Sequence, residues 1–578
     1  MRCQLGQDVG YSIRFDDVTS ASTRIKFLTD GLLLREALAD PLLSRYSVII
    51  IDEAHERSLS SDILLGLLKK IIKRRPELRV IISSATLQAE DFLEYFETRK
   101  EEESAEENAN RIVSIEGRLH PVDIYYLGEP TEDYIASAVE AVFEIHNSQP
   151  AGDILIFLTG RSEIETVIQM IYDRMSDLPE HASKMLALPL YAGLTTEEQM
   201  YVFEPAPENT RKVICATNIA EASVTVDGIV YVIDCGFVKL KTFSPTTRIE
   251  ELVSTPVSKA SADQRAGRAG RTAPGKCYRL YTEDDSDDLA AATVPEIQRS
   301  NLSQVILQLK ALGIDNIARF DFISPPPVEQ VTQSLEILFS LGLLDEYARL
   351  TKPFGVQLAE MALEPMLGKC LLLAPNFGCL SEVLSITAMI SLQDNIWLDA
   401  ESKKAGESSR RLFAVEEGDH LTLLNIYQAF TTRGSKDASW CRQHFLNYKS
   451  LVKAVSIRAQ LKRHLERFGV QVSESLANND VLRVGGLPKA ESIRRCLTSG
   501  YFAHAARMES DGSFKAVNGS TIMYAHPSSL MFNRKADWVI FSEVMHSGEK
   551  IYIRNLTKIE KNWLVEYGAG FYKLTQTT

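Results

Sequence analysis

A run of β-branched residues, Val48-Ile49-Ile50-Ile51, leads straight into a pair of carboxylates, Asp52-Glu53, and then into Ala54-His55-Glu56-Arg57. A continuous apolar run of this kind predicts a strand buried on both faces of a parallel sheet. The carboxylates then stand at the carboxyl end of the strand, where open α/β sheets bind their ligands. In a nucleotide site Asp52 would hold Mg²⁺ through water, and Glu53 would orient and deprotonate the attacking water. The plainer alternative is a buried strand followed by a solvated acidic turn, and Asp-Glu alone does not separate the two. The full Asp-Glu-Ala-His box, with the partners described below, favours the nucleotide reading.

At 578 residues the chain is too long for a single core, and length predicts roughly three to five domains. The net charge of −14 argues against a uniformly basic nucleic-acid coat, but leaves room for a local basic channel in an acidic shell. Eight cysteines are scattered without a Cys-x-x-Cys pair, which fits a reducing compartment and excludes a zinc ribbon. No signal segment opens the chain, and Pro375, Asn376 and Glu382 interrupt the most apolar region, 370–392. The expectation is a soluble, intracellular protein with no membrane partner.

In chain order, residues 9–15 alternate like a half-buried strand directly after Met1, so the fold is expected to lack its first strands. Thr29 or Asp30 caps a helix beginning near Leu32, and free N–H groups there, around Gly31, can hold a phosphate; a plain capped helix is the alternative. An amphipathic helix over 63–72 precedes a strand over 78–82 that ends in Ser83-Ser84-Ala85-Thr86. Those hydroxyls form an ordinary turn or relay the nucleotide state by hydrogen bonds. Residues 100–108, rich in Glu, read as a solvated loop. A second α/β unit follows. Strands are expected over 153–158, 188–191, 212–216 and 229–233, with a helix running through Ala220. Residues 234–255 read as a hairpin.

Gln264-Arg265-Ala266-Gly267-Arg268-Ala269-Gly270-Arg271 places three arginines at intervals of three, which on a helix puts them roughly on one face. Arg268 and Arg271 suit arginine fingers that stabilise charge on a transferred phosphoryl group; a solvated basic turn is the alternative. The nearby Gly270-Arg271-Thr272-Ala273-Pro274-Gly275-Lys276-Cys277 nearly matches the phosphate loop Gly-x4-Gly-Lys-Ser/Thr. It fails because Cys277 offers no hydroxyl and residues 277–281 read as a strand. No other segment matches, so these residues do not encode a complete ATP site. Helices dominate from residue 297 to about 468, His420 and His444 lack metal-ligand company, and short strands from about 501 to 572 suggest a small oligonucleotide-binding barrel.

Taken in order, Thr29-Asp30-Gly31, Asp52-Glu53-Ala54-His55, Ser84-Ala85-Thr86, Phe157-Leu158-Thr159-Gly160, Ala216-Thr217-Asn218-Ile219-Ala220-Glu221 and the 264–271 box resemble the DEAH-box RNA helicases of superfamily 2, especially an accessory pre-mRNA-splicing group. The resemblance implies tandem RecA-like domains, the first truncated, followed by winged-helix, ratchet-like helical-bundle and OB-fold modules. The corresponding boundaries are 1–116, 117–290, 291–357, 358–475 and 476–578. It implies ATP-driven 3′-to-5′ stepping on single-stranded RNA with Mg²⁺, Thr29, Asp30, Gly31, Thr159, Gly160, Arg161, Thr217 and Asn218 gripping the RNA. Gln264 would position water, with Ser223, Thr225 and Asp227 near the nucleotide and His55, Ser84 and Thr86 coupling the sites. Pre-mRNA or snRNA, a glycine-patch activator, spliceosomal proteins and a nuclear location are further implications. The family's phosphate loop is not among these residues, so the competing expectation is an inactive scaffold that binds RNA or protein; a DNA helicase is a third.

Overall fold

The computed structural model describes residues 3–572 except 14–15, 86–88, 97–111, 116–119, 177–183, 195, 223–225, 245–248, 362, 393–395, 399–402, 433–436, 473–482, 485–486, 518, 520 and 548–549. The acidic stretch 100–108, Thr86, Ser223 and Thr225 therefore lie outside the described residues.

The first unit contains β1 (Val9–Ile13), β2 (Asp16–Val18), β3 (Ile25–Leu28), β4 (Val48–Ile51) and β5 (Arg79–Ile82). Strands β1 and β3 run parallel, as do β4 and β5. Helix α1 (Asp30–Ala39) and helix α2 (Leu59–Ile71) pack against each other. Strand β4 corrects the sequence expectation. It alternates, with Ile49 and Ile51 at 5% and 2% exposure but Val48 and Ile50 at 50% and 60%. Successive side chains point to opposite faces of a strand, and no described element covers the second face. Helix α2, expected to be amphipathic, is instead buried along most of its length, from Ser61 to Leu68.

The second unit is an all-parallel six-stranded sheet. Its strands are β6 (Val122–Tyr126), β7 (Asp153–Phe157), β8 (Lys184–Leu190), β9 (Thr210–Ala216), β10 (Ile229–Asp234) and β13 (Gly275–Arg279), in the order β6-β13-β10-β7-β9-β8. Alternate residues of β7 feed different cores: Ile154 and Ile156 pack on one face, Leu155 and Phe157 on the other. That doubly covered sheet requires the near-continuous apolar strands seen in the sequence. The hairpin β11 (Phe237–Ser244) and β12 (Ile249–Pro256) projects from it and touches the C-terminal strand Glu543–Ser547. The expected helix through Ala220 is only a 3-10 turn, Asn218–Ala220.

Helices Ser303–Ala311 and Val328–Ser340 follow, with one antiparallel bridge between Leu344 and Leu350 where a wing would stand. The helices from Phe354–Met361 to Tyr448–Arg467 lead to a seven-stranded sheet of short strands between Ala505 and Lys558. A single core runs from Leu33, Ile49 and Leu64 through Leu307, Leu371 and Leu497 to Leu564. The first unit thus shares its interior with the helical and C-terminal modules, whereas the six-stranded sheet keeps cores of its own. No helix among the described residues is long and apolar enough to cross a membrane.

Candidate nucleotide and RNA clefts

The acidic box forms a tight turn at the end of β4. Asp52 is exposed and its Oδ1 accepts the Glu53 N–H at 3.1 Å. Glu53 and Arg57 both sit in the left-handed region, at φ 51° and 48°. For side chains of this kind such backbone costs of order 1–3 kcal/mol each and persists only where the surroundings over-determine it. Here they do: Ala54 N–H donates to the Ser83 carbonyl of β5's end at 2.9 Å, and the 3-10 turn closes through Glu56 N–H to Glu53 O at 2.9 Å.

His55 couples this turn to the neighbouring strand end. Its Nδ1 accepts the Ala85 N–H at 3.2 Å, so the neutral ring carries its proton on Nε2, which lies 3.4 Å from Glu53 Oε2. Burial holds the imidazole below its usual range, against the opposing pull of Glu53 and Asp52. His55 and the half-buried Ser84 are thereby brought together with Glu53 through the Ala85 amide.

The opposite wall comes from the second unit. The helix bearing the first part of the arginine box, Lys259–Ala266, is capped by the Ser258 hydroxyl and ends before Arg268, so the expected one-faced helical row does not form. A helix carrying two glycines at its end has little propensity to continue. Arg265 turns inward instead, onto Asp234 and Glu221 and over the Phe157 ring. Arg268 and Arg271 lie past the helix end. Arg268 Nη2 donates to the carbonyls of Glu221 and Ala222. Burial first, then Arg271, lower its pKa to about 10, and Glu53 and Glu221 oppose the shift. The acidic turn of the first unit and the arginine box of the second thus stand on facing sides of one gap. A cleft of about 320 Å³ lies there, lined by His55, Glu56, Asn218, Glu221 and Gln264. Asp227 is exposed.

The residues expected to grip RNA are distributed unevenly. Thr29 occupies the N-cap position of α1 without making the expected side-chain cap bond. Asp30 accepts from the Ser61 hydroxyl of α2. Thr159 is buried, its hydroxyl and N–H both given to Glu163 at 2.5 and 2.9 Å. Gly160 is the N-cap of the helix Arg161–Met175, and Lys239 of the hairpin approaches its Cα so closely that a Cβ would meet Nζ at 3.1 Å. Thr217 is half-buried, and Asn218 reaches the surface.

A second cleft, of about 550 Å³, opens between the six-stranded sheet, the helical region and the C-terminal sheet. Arg161, Trp397, Arg410 and Arg554 line it, and Arg410 stands 5.4 Å over the Trp397 ring. Cations interleaved with aromatic faces suit single-stranded nucleic acid. Sequence reasoning missed Trp397, Arg410 and Arg554. The available signal was the Arg410-Arg411 pair on the amphipathic helix Lys403–Phe413.

Asp52 and Glu53 fit a hydrated Mg²⁺, a hard cation that takes one or two carboxylates alongside waters and phosphate oxygens. The described residues hold no cluster of three or more metal ligands, as such a shared site requires none.

Three segments match known families: residues 137–273 the helicase conserved C-terminal domain, 364–423 the helicase-associated, ratchet-like HA2 domain, and 493–571 the oligonucleotide/oligosaccharide-binding fold. The chain is 51% identical over 573 residues to a probable ATP-dependent RNA helicase DHX35 of Homo sapiens, covering 98% of this chain and 80% of that protein. A Pongo abelii protein of the same name is 50% identical, over 98% of this chain and 78% of its own length. A Caenorhabditis elegans homolog of that name is 47% identical, over 99% and 76%.

Proposed function

This chain belongs to the DEAH-box RNA helicases, and from that premise we propose that it couples ATP hydrolysis to 3′-to-5′ movement along single-stranded RNA in pre-mRNA splicing. One observation carries the reading: His55 and Glu56, from the acidic turn at the end of β4, and Gln264, from the arginine box of the other α/β unit, line one cleft. A site divided in this way responds to closure of the two units, which is what coupling hydrolysis to movement needs.

In the proposed cycle Asp52 and Glu53 would hold Mg²⁺, which would supply positive charge for the phosphates of ATP. Glu53 orients and deprotonates the attacking water, and Gln264 helps to place it. Arg268 and Arg271 supply positive charge where negative charge develops. His55 passes the state of Glu53 to the strand end at Ser84 and Ala85. Asp30, Gly31, Gly160, Arg161, Thr217 and Asn218 hold RNA by its backbone, so base preference is weak. The buried Thr159 serves by orienting its turn through Glu163.

Pre-mRNA or snRNA as substrate, spliceosomal proteins as neighbours and the nucleus as location belong to the same proposal. Exposed Val328, Phe339 and Tyr347 on the winged-helix-like part support a glycine-patch activator there. The test is unwinding by the protein of RNA duplexes with a 3′ or a 5′ single-stranded overhang. ATP-dependent unwinding of the 3′ form alone supports the reading. Tight RNA binding without turnover points to a scaffold, and equal action on DNA to a DNA helicase.

A further inference from the structure

The turn that carries Glu53 is fastened at its far end by Arg57, and the fastening reaches a distant part of the chain. Arg57 grips Asp62 of α2 with Nε at 2.8 Å and Nη2 at 3.0 Å, and the same Nη2 donates to Ser324 Oγ at 2.7 Å. Its carbonyl accepts the Glu296 N–H at 3.1 Å, while Glu296 Oε2 takes the Leu59 N–H at 2.8 Å. Asp62 is fully buried, so the pair is a fixed anchor rather than a surface contact. Helix α2 is held on the same segment: Lys69 meets Asp321 at 2.7 Å, and a Cβ on Gly66 would strike the Phe320 ring at 2.6 Å.

The segment that reaches Arg57 leaves the arginine-bearing unit at the end of β13. On the way it is tied to the start of the Lys259–Ala266 helix: Lys259 N–H donates to Ala290 O at 2.8 Å, and the Ser258 and Thr293 hydroxyls meet at 3.1 Å. The two walls of the nucleotide cleft are thus linked by a short path of chain and hydrogen bonds, from the arginine helix through residues 290–296 to Arg57. The closed 3-10 turn between Glu53 and Arg57 leaves little slack at the end of that path.

We propose that Arg57 is a positioning residue: through Glu296 and Ser324 it ties the turn carrying Glu53 to the segment leaving the arginine-bearing unit, so that movement of that unit resets Glu53. This rests on the nucleotide-site reading above. The left-handed backbone of both Glu53 and Arg57 is consistent with such a role, since a turn held out of its preferred conformation relaxes when one restraint is lost.

The test uses Arg57→Lys, Ser324→Ala and Ser324→Thr. Backbone amide exchange over residues 52–57 is read alongside kcat and KM for ATP with single-stranded RNA. Losing one such hydrogen bond changes a local equilibrium by up to roughly tenfold. Arg57→Lys and Ser324→Ala are expected to speed exchange at Ala54, Glu56 and Arg57 by that factor. They lower kcat comparably and leave KM within about twofold, and Ser324→Ala, which keeps the Arg57–Asp62 pair whole, leaves global unfolding unchanged. Ser324→Thr, which keeps the hydroxyl, restores both readouts. Unchanged exchange in both damaging variants, or loss of kcat only in step with global unfolding, overturns the proposal. Wild-type protein without RNA-stimulated turnover overturns the nucleotide-site reading instead, while altered exchange would still uphold the joint.

Discussion

Arg265 Nη1 donates to Asp234 Oδ1 at 2.7 Å, with the two side chains 1% and 0% exposed. Glu221 takes the Nε of the same guanidinium at 3.0 Å, and the Phe157 ring lies beneath it. Of the arginines in one short motif, this one therefore holds the second unit together, whereas Arg268 and Arg271 lie past the end of the helix.

Removing Arg265 leaves Asp234 charged and buried, so Arg265→Ala is expected to destabilise the protein by about 3–5 kcal/mol. Arg271→Ala is expected to leave stability within about 0.5 kcal/mol while abolishing RNA-stimulated turnover. Urea unfolding alongside ATP hydrolysis separates the two effects.

Gly418 has φ 129°, and a Cβ there would lie 2.2 Å from the Leu556 carbonyl oxygen. The next residue, Asp419, accepts from the Leu530 and Leu556 amides and the Ser529 hydroxyl. This joint locks the helical region to the C-terminal sheet. Gly418→Ala is expected to cost about 2 kcal/mol or more, because neither the backbone angle nor the space suits it. A lowered unfolding temperature with the helical content retained is the expected signature.

His420 is buried, its Nδ1 paired with Thr557 Oγ1 at 2.9 Å and its Nε2 without a partner among the described residues. Burial pushes its pKa down to about 4. The unfolded chain, with an ordinary histidine near 6.5, takes up the proton first. Stability is thus complete above that value and falls with pH between about 6.5 and 4, by up to about 3 kcal/mol for this group. His420→Gln is expected to flatten that part of the stability–pH curve, as thermal unfolding across the range will reveal.

Arg410 and Arg554 line the larger cleft. Charge reversal at either is expected to weaken single-stranded RNA binding for every sequence alike and to reduce the salt slope by about 1. Fluorescence anisotropy at several salt concentrations measures both.

Much of this was legible in the residues. The strands β7, β9 and β10 of the second sheet and the rejection of Lys276-Cys277 as a phosphate loop follow from apolar runs and their terminators, whereas β6 was not anticipated. Three features were not. The spacing of Arg265, Arg268 and Arg271 suggested one face, because periodicity does not reveal that a helix ends at Ala266. The run Val48 to Ile51 suggested two buried faces, because composition cannot say what covers a strand. Arg57 and Ser324 stand 267 residues apart, and nothing local to either predicts their meeting.

ATP turnover by the protein, wild type against Glu53→Gln, with and without single-stranded RNA, bears most directly on the proposed site. A general base contributes about 10²-fold or more. RNA-stimulated turnover in the wild type, reduced by at least that factor in Glu53→Gln with ATP binding retained, is the expected result. Equal turnover in the two proteins would contradict the assignment of Glu53 as the base.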